Sequence, residues 1–183
     1  MDQATAYRLF HEMNQLALSE LIDYTSNNIP VATEKIDRSV FSGADQRTND
    51  ALCDFSRRNG LKPVGEESPE DLSVVRSGNY VTIDSIDGSG HYLKHVEGAR
   101  AKKLQVPHID PELGDNFDYA VIIGIVENGR PRFGSYFSYV SGELIMVDSD
   151  SINHTVWERG SNLNLYLGEK ANYTENRVEL GIN

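Results

Sequence analysis

Cysteine is nearly missing from this 183-residue chain, with Cys53 as its single representative. No disulfide can form within the chain, and Cys53, inside a helix-like segment, reads as a small buried hydrophobe. Basic residues are outnumbered, 17 Lys and Arg against 28 Asp and Glu, for a formal net charge of -11. Such a surface excludes general binding to a nucleic acid polymer or an anionic membrane. A small anionic ligand stays compatible with it wherever a cation screens the site. Long apolar runs are also absent. Nothing approaches the roughly 20 residues that a membrane helix needs. The start, Met1-Asp2-Gln3-Ala4-Thr5, lacks the basic and apolar stretches of a secretion signal. The expectation is a reducing, cytoplasmic home. On that basis Asn153-His154-Thr155 and Asn172-Tyr173-Thr174 are chance matches to the glycosylation pattern. Turn residues are not in excess and the apolar share is 39%, the composition of an ordinary globular protein of one domain, or one domain and a fragment.

The spacing predicts an amphipathic helix from about Asp2 to Asn27, with Leu9, Met13, Leu16 and Leu21 as its apolar stripe and Pro30 beyond its end. A second helix fits Ala44 to Asn59, with Ala51, Leu52 and Phe55 inward and Gly60 as its stop. Strand signals follow at Leu61 to Val64, Tyr80 to Ile83, Asp118 to Val126, Arg132 to Val140 and Glu143 to Val147. Asn128-Gly129 is a strong hairpin signal, and Ser141-Gly142 joins the last two runs. This order gives an α+β fold: two N-terminal helices packed on a mostly antiparallel sheet. Gly88 to Asn116 reads as a long polar loop. Its Arg100, Lys102 and Lys103 are read as a solvated face, with contact to a phosphate as the alternative. Past Gly160 the clear strand candidate is Leu163 to Leu167, and Glu175 to Asn183 gives no strong signal.

The chemistry-bearing residues fall in three pieces: Ser42-Gly43-Ala44-Asp45, Gly65-Glu66-Glu67-Ser68 and Ile83-Asp84-Ser85-Ile86-Asp87-Gly88-Ser89. In the third, a β-branched strand runs into two aspartates and a glycine. Gly88 permits a sharp turn, so both carboxylates and the Ile86 carbonyl can share one space. That is a hard-oxygen donor set, suited to magnesium, manganese or calcium. Two carboxylates about 4 Å apart repel by roughly 4 kcal/mol at an effective dielectric near 20, so converging carboxylates call for a cation. Taken alone, Asp-x-x-Asp-Gly is more often a polar turn than a cation site. An EF-hand loop does not fit, because alignment on Gly88 puts Ile83 and Lys94 at its first and last ligand positions.

Together, in this order and with these gaps, the pieces resemble the inositol monophosphatase superfamily of magnesium-dependent phosphatases. That superfamily carries an Ala-Asp element at a helix start, then Gly-Glu-Glu-Ser, then Asp-Pro-Ile/Leu-Asp-Gly-Thr/Ser. Tyr119 to Gly129, Arg132-Phe133-Gly134 and Gly142-Glu143-Leu144 resemble its next strands, so the likeness runs over roughly residues 5 to 147. It implies the first lobe of the sugar-phosphatase fold over residues 1–150, with 151–183 a divergent C-terminal strand and tail. It implies Glu66, Asp84, the Ile86 carbonyl and Asp87 as metal ligands for Mg2+, with Mn2+ as a substitute and Li+ as an inhibitor. Glu66 would also position the attacking water, Ser89 would orient it, and Asp45 would accept the Ser89 hydrogen bond. Gly88 and Ser89 would offer N–H groups to the phosphate, and Glu67 would stand outside the ligand shell. The implied reaction is attack of a metal-activated water on a small phosphomonoester.

Three departures bear on that implication. Ser85 replaces the usual proline, which leaves the turn less rigid, and Ser89 replaces threonine, a mild change. The superfamily's second α/β lobe, with its Trp-Asp-x-Ala-Gly element, has no counterpart: Trp157 lies in Thr155-Val156-Trp157-Glu158-Arg159-Gly160 and reads as a packing residue. Two readings follow. One is a phosphatase of a small sugar, inositol or nucleotide phosphate. The other is a truncated or degenerate, non-catalytic form that keeps the fold for metal binding or assembly. The sheet face that a second lobe would cover predicts a homodimer or other self-association.

Overall fold

A computed structural model describes residues 1–28, 32–34, 40–65, 78–101, 119–140, 142–148, 151–157 and 173–179. Helix α1 spans Gln3–Asn27. Its N-cap is Asp2, whose carboxylate accepts the Thr5 N–H at 2.8 Å. Its inward face is Ala6, Phe10, Met13, Ala17 and Leu21, all completely buried, at the helical spacing the sequence suggests. Leu16 is only partly buried and packs at the margin of this core. Two short strands follow, β1 (Ala32–Glu34) and β2 (Val40–Ser42), paired antiparallel. Helix α2 spans Gly43–Arg58 and starts with a capping box between Ser42 and Asp45.

The remaining strands form one sheet. They are β3 (Pro63–Gly65), β4 (Tyr80–Asp87), β5 (Ala120–Glu127), β6 (Arg130–Ser138), β7 (Glu143–Asp148), β8 (Ser151–Trp157) and β9 (Tyr173–Glu179). Spatial order equals chain order. Only β3 and β4 are parallel, and every later pair is antiparallel. The β5–β6 hairpin turns at Asn128 and Gly129, both at positive φ (52° and 72°), as a tight two-residue turn requires. Strands β8 and β9 extend the meander beyond the runs that the sequence marks. The candidate Leu163 to Leu167 lies outside the described residues.

A third helix, α3 (Ser89–Ala101), stands where the sequence reads as loop. Tyr92, His95 and Val96 are its buried face. The i, i+3, i+4 pattern is present but short, and Gly90, Gly98 and interleaved polar residues obscure it. Of the basic residues placed in that loop, Arg100 falls on α3, while Lys102 and Lys103 lie outside the described residues.

The two faces of the sheet differ. Val81, Ile83, Val121, Ile123, Ile125, Phe137 and Leu144 alternate inward and join the helices in one core. The opposite face carries the row Asp84, Ile122, Tyr136, Ile145 across β4 to β7. Beside it runs the row Thr82, Gly124, Gly134, Val147. An open trough of about 480 Å³ lies on this face, and Ile122 is 39% exposed in it. No helix among the described residues is long and apolar enough to cross a membrane.

Candidate metal and phosphate site

Helix α2 meets the described parts of the three sequence pieces. Asp45 occupies its third position and is 2% exposed. One carboxylate oxygen, Oδ2, accepts the Ser42 N–H at 2.9 Å and the Ser42 hydroxyl at 3.0 Å. The other, Oδ1, lies 3.2 Å from the Ser89 hydroxyl. That hydroxyl also lies 2.9 Å from the Ile86 carbonyl, so its single proton is shared between the two acceptors. One turn further along α2, Asn49 lies against Gly65 so closely that a Cβ on Gly65 would overlap its Oδ1. In the parallel pair β3–β4, Gly65 pairs with Ile83, so the first residue of the second piece lies beside the first residue of the third.

The end of β4 is irregular. Asp84 pairs with Ile122 and Asp87 with Ala120, so three steps along β4 match two along β5. This is a bulge, a device that re-aims side chains at a strand end. Asp84 is half-buried and Asp87 is exposed. Gly88 has φ +88°, which turns the chain directly into α3. Gly88 and Ser89 therefore stand at the N-terminus of α3, where the first backbone N–H groups lack helical acceptors and suit an anion.

Ser85 lies inside the bulge, 2% exposed, and is held from both sides. Its hydroxyl donates to the Asp45 backbone carbonyl at 3.1 Å, and its own carbonyl accepts the Tyr139 hydroxyl at 2.9 Å. The sequence suggests a looser turn here than proline would give; the side chain instead bolts the turn to α2. Tyr139 stacks on Tyr119 at 5.6 Å. Burial, followed by the nearby Asp45 carboxylate, pushes its hydroxyl pKa well above the ordinary tyrosine value, so it remains a donor. Sequence reasoning did not find Tyr139, because its partner lies 54 residues away and no motif marks it.

Of the predicted site residues, Asp45, Ile86 and Ser89 meet directly, and Asp84, Asp87 and Gly88 sit on the same turn. Glu66 and Glu67 lie outside the described residues. Two aspartates and the strand-end Ile86 carbonyl, whose second lone pair is left beside the Ser89 bond, are all hard oxygen donors, the chemistry that fits magnesium. No group of three or more His, Cys, Asp or Glu converges among the described residues. The fit is thus to part of a cation shell, with Glu66 as the residue the sequence offers to extend it.

No protein-family model matches the sequence, and no curated protein matches it either. The fold does match solved structures. CysQ from Bacteroides thetaiotaomicron, described as a bacterial member of the inositol monophosphatase family, aligns with TM-score 0.57 and 17% identity over 89% of this chain and 55% of its own. A LiCl-soaked inhibitory complex of Staphylococcal inositol monophosphatase-1 aligns with TM-score 0.60 and 12% identity, over 81% of this chain and 50% of its own. An IMPase/NADP phosphatase complexed with NADP and Ca2+ gives the same values. The chain spans about half the length of the structures it matches. It has the fold of an inositol monophosphatase-type N-terminal lobe, three helices packed on a mostly antiparallel sheet.

Proposed function

We propose that this chain is the metal-binding half of a magnesium-dependent phosphomonoesterase acting on a small sugar, inositol or nucleotide phosphate. The observation that carries the reading is the Ser89 hydroxyl, fixed between Asp45 Oδ1 and the Ile86 carbonyl at the end of the aspartate-bearing strand. Its proton is committed inward, so its lone pairs face outward as acceptors for a water. Asp84 and Asp87 would hold Mg2+, with Mn2+ as a substitute, alongside the Ile86 carbonyl and Glu66. A bound divalent cation supplies neutralisation of phosphate charge and a more acidic water. The α3 N-terminus at Gly88 and Ser89 would meet the phosphate oxygens. The similar IMPase/NADP phosphatase was solved with NADP and Ca2+, and the Staphylococcal enzyme with lithium, which supports a phosphorylated ligand, a divalent cation and inhibition by Li+.

The test is phosphate release by the full chain from D-inositol-1-phosphate, fructose 1,6-bisphosphate and 3'-phosphoadenosine 5'-phosphate. Expected is release from at least one that rises with Mg2+, stops with a chelator and falls with Li+. Absence of both release and Mg2+ binding by calorimetry overturns the reading.

A second reading, a non-catalytic form kept for metal binding or assembly, is favoured by one feature. The trough face of the sheet exposes Ile122, and its floor carries two glycines, Gly124 and Gly134, with Thr82 and Val147 beside them. Light scattering decides here. Self-association that Ile122→Glu abolishes, without phosphate release from any substrate, supports this second reading, and an active monomer removes it.

A further inference from the structure

Across the bulge Asp84 and Asp87 still pair with β5, but Ser85 and Ile86 between them have no register partner there, so strand pairing does not hold the middle of this turn. Other bonds must hold it. Ser89 and the first turn of α3 fix its far side, through the Ile86 and Gly88 carbonyls. At its centre stands Ser85, donating to the Asp45 carbonyl of α2 and accepting from Tyr139 just past β6. Tyr139 is itself held by packing: it is 3% exposed, stacked on Tyr119, edge-on to Phe137 at 5.7 Å, and its backbone N–H bonds the Tyr119 carbonyl at 3.0 Å.

We propose that Ser85 and Tyr139 are positioning residues, a two-bond brace that fixes the Asp84–Asp87 turn between α2 and the end of β6. Neither side chain reaches the open side of the site. Each acts through the backbone that carries the aspartates. Substitution with proline is another way to stiffen such a position, since bulges tolerate it and it restricts the chain without needing a partner. The consequence for cation binding rests on the reading of Asp84 and Asp87 as metal ligands. The consequence for the turn does not.

The experiment measures amide hydrogen exchange over residues 84–88 of the full chain without metal, then Mn2+ affinity by calorimetry, for four variants. Ser85→Ala and Tyr139→Phe each delete one bond of the brace. Ser85→Pro stiffens the turn differently. Thr25→Val deletes a buried hydrogen-bond pair elsewhere, to Tyr92 and the Leu21 carbonyl, and controls for general loss of stability. Losing one buried hydrogen bond predicts exchange about 3- to 10-fold faster at 84–88 in Ser85→Ala and Tyr139→Phe, selectively over the rest of the sheet. Mn2+ affinity falls by a similar factor. Ser85→Pro keeps wild-type exchange at 86–88 and wild-type affinity, and Thr25→Val leaves both unchanged relative to the other strands. Unaltered exchange in Ser85→Ala and Tyr139→Phe, or acceleration spread evenly over the sheet, overturns the brace. If the wild-type chain takes up no Mn2+, the metal reading fails while exchange still decides the brace.

Discussion

Asp45 and Asp87 are both aspartates of the same small region, yet their surroundings are opposite. Asp45 is buried, and both its oxygens are engaged by Ser42 and Ser89. Asp87 is exposed, on a strand end bent by a bulge, with Asp84 half-buried beside it. A carboxylate whose lone pairs are committed inside the protein can only orient its neighbours. A carboxylate exposed at the rim, as that of Asp87 is, stands open to a ligand. On the proposed reading the site divides into an orienting half, Asp45, Ser42, Ser85 and Ser89, and a ligand-offering half, Asp84 and Asp87.

The largest expected effect comes from the ligand-offering half. Asp84→Asn or Asp87→Asn should lower Mg2+-dependent phosphate release by about 100-fold or more, since loss of a ligand exceeds the loss of an outer partner. The metal-free thermal midpoint should hold or rise, because a repulsive charge is removed. A large fall in metal-free stability would place these residues in the structural half instead. Asp45→Asn should do the reverse. It leaves Ser42 and Ser89 facing a group with one acceptor where there were two, which predicts a loss of about 1–3 kcal/mol in denaturant unfolding, with Mn2+ still bound. Ser89→Ala should reduce turnover while leaving Mn2+ affinity within about 3-fold, and Ser89→Thr should restore turnover, since the hydroxyl alone is required.

The smallest effect concerns pH. Tyr139 has its folded pKa raised, so its contribution is fully present below the unfolded tyrosine value near 10 and is lost as pH rises. Above about pH 10 the unfolded chain has released a proton that the folded chain retains. Stability should then fall by about 1.4 kcal/mol per pH unit from this residue until Tyr139 itself ionises. Tyr139→Phe should remove one proton's worth of that slope in unfolding curves taken from pH 9 to 11. An unchanged slope would mean that Tyr139 ionises as freely folded as unfolded.

How much of this was legible in the sequence follows from where the free energy lies. Helices α1 and α2 and strands β4 to β7 each bury an apolar side at close to regular spacing, so Met13, Leu52, Ile83, Val121, Phe137 and Leu144 mark them. Strands β8 and β9 have segments such as Asn153-His154-Thr155 and Glu175-Asn176-Arg177. These lack the regular apolar alternation that marks the earlier strands. Helix α3 hides because its buried face is Tyr92, His95 and Val96, two of them polar-tipped, between two glycines. At the site, motif order led to Asp45, Ile86 and Ser89, and the structure brings them within hydrogen-bond reach. The Ser85–Tyr139 bond was illegible, since a serine in a turn and a tyrosine after a strand carry no mutual signal until the sheet closes.

The most direct test of the division between the two halves is Mn2+ binding to the full chain by calorimetry, wild type beside Asp84→Asn, Asp87→Asn and Ser89→Ala. Binding that disappears in both aspartate variants and persists in Ser89→Ala is the predicted result. No binding by the wild type, or binding indifferent to Asp84 and Asp87, would contradict it.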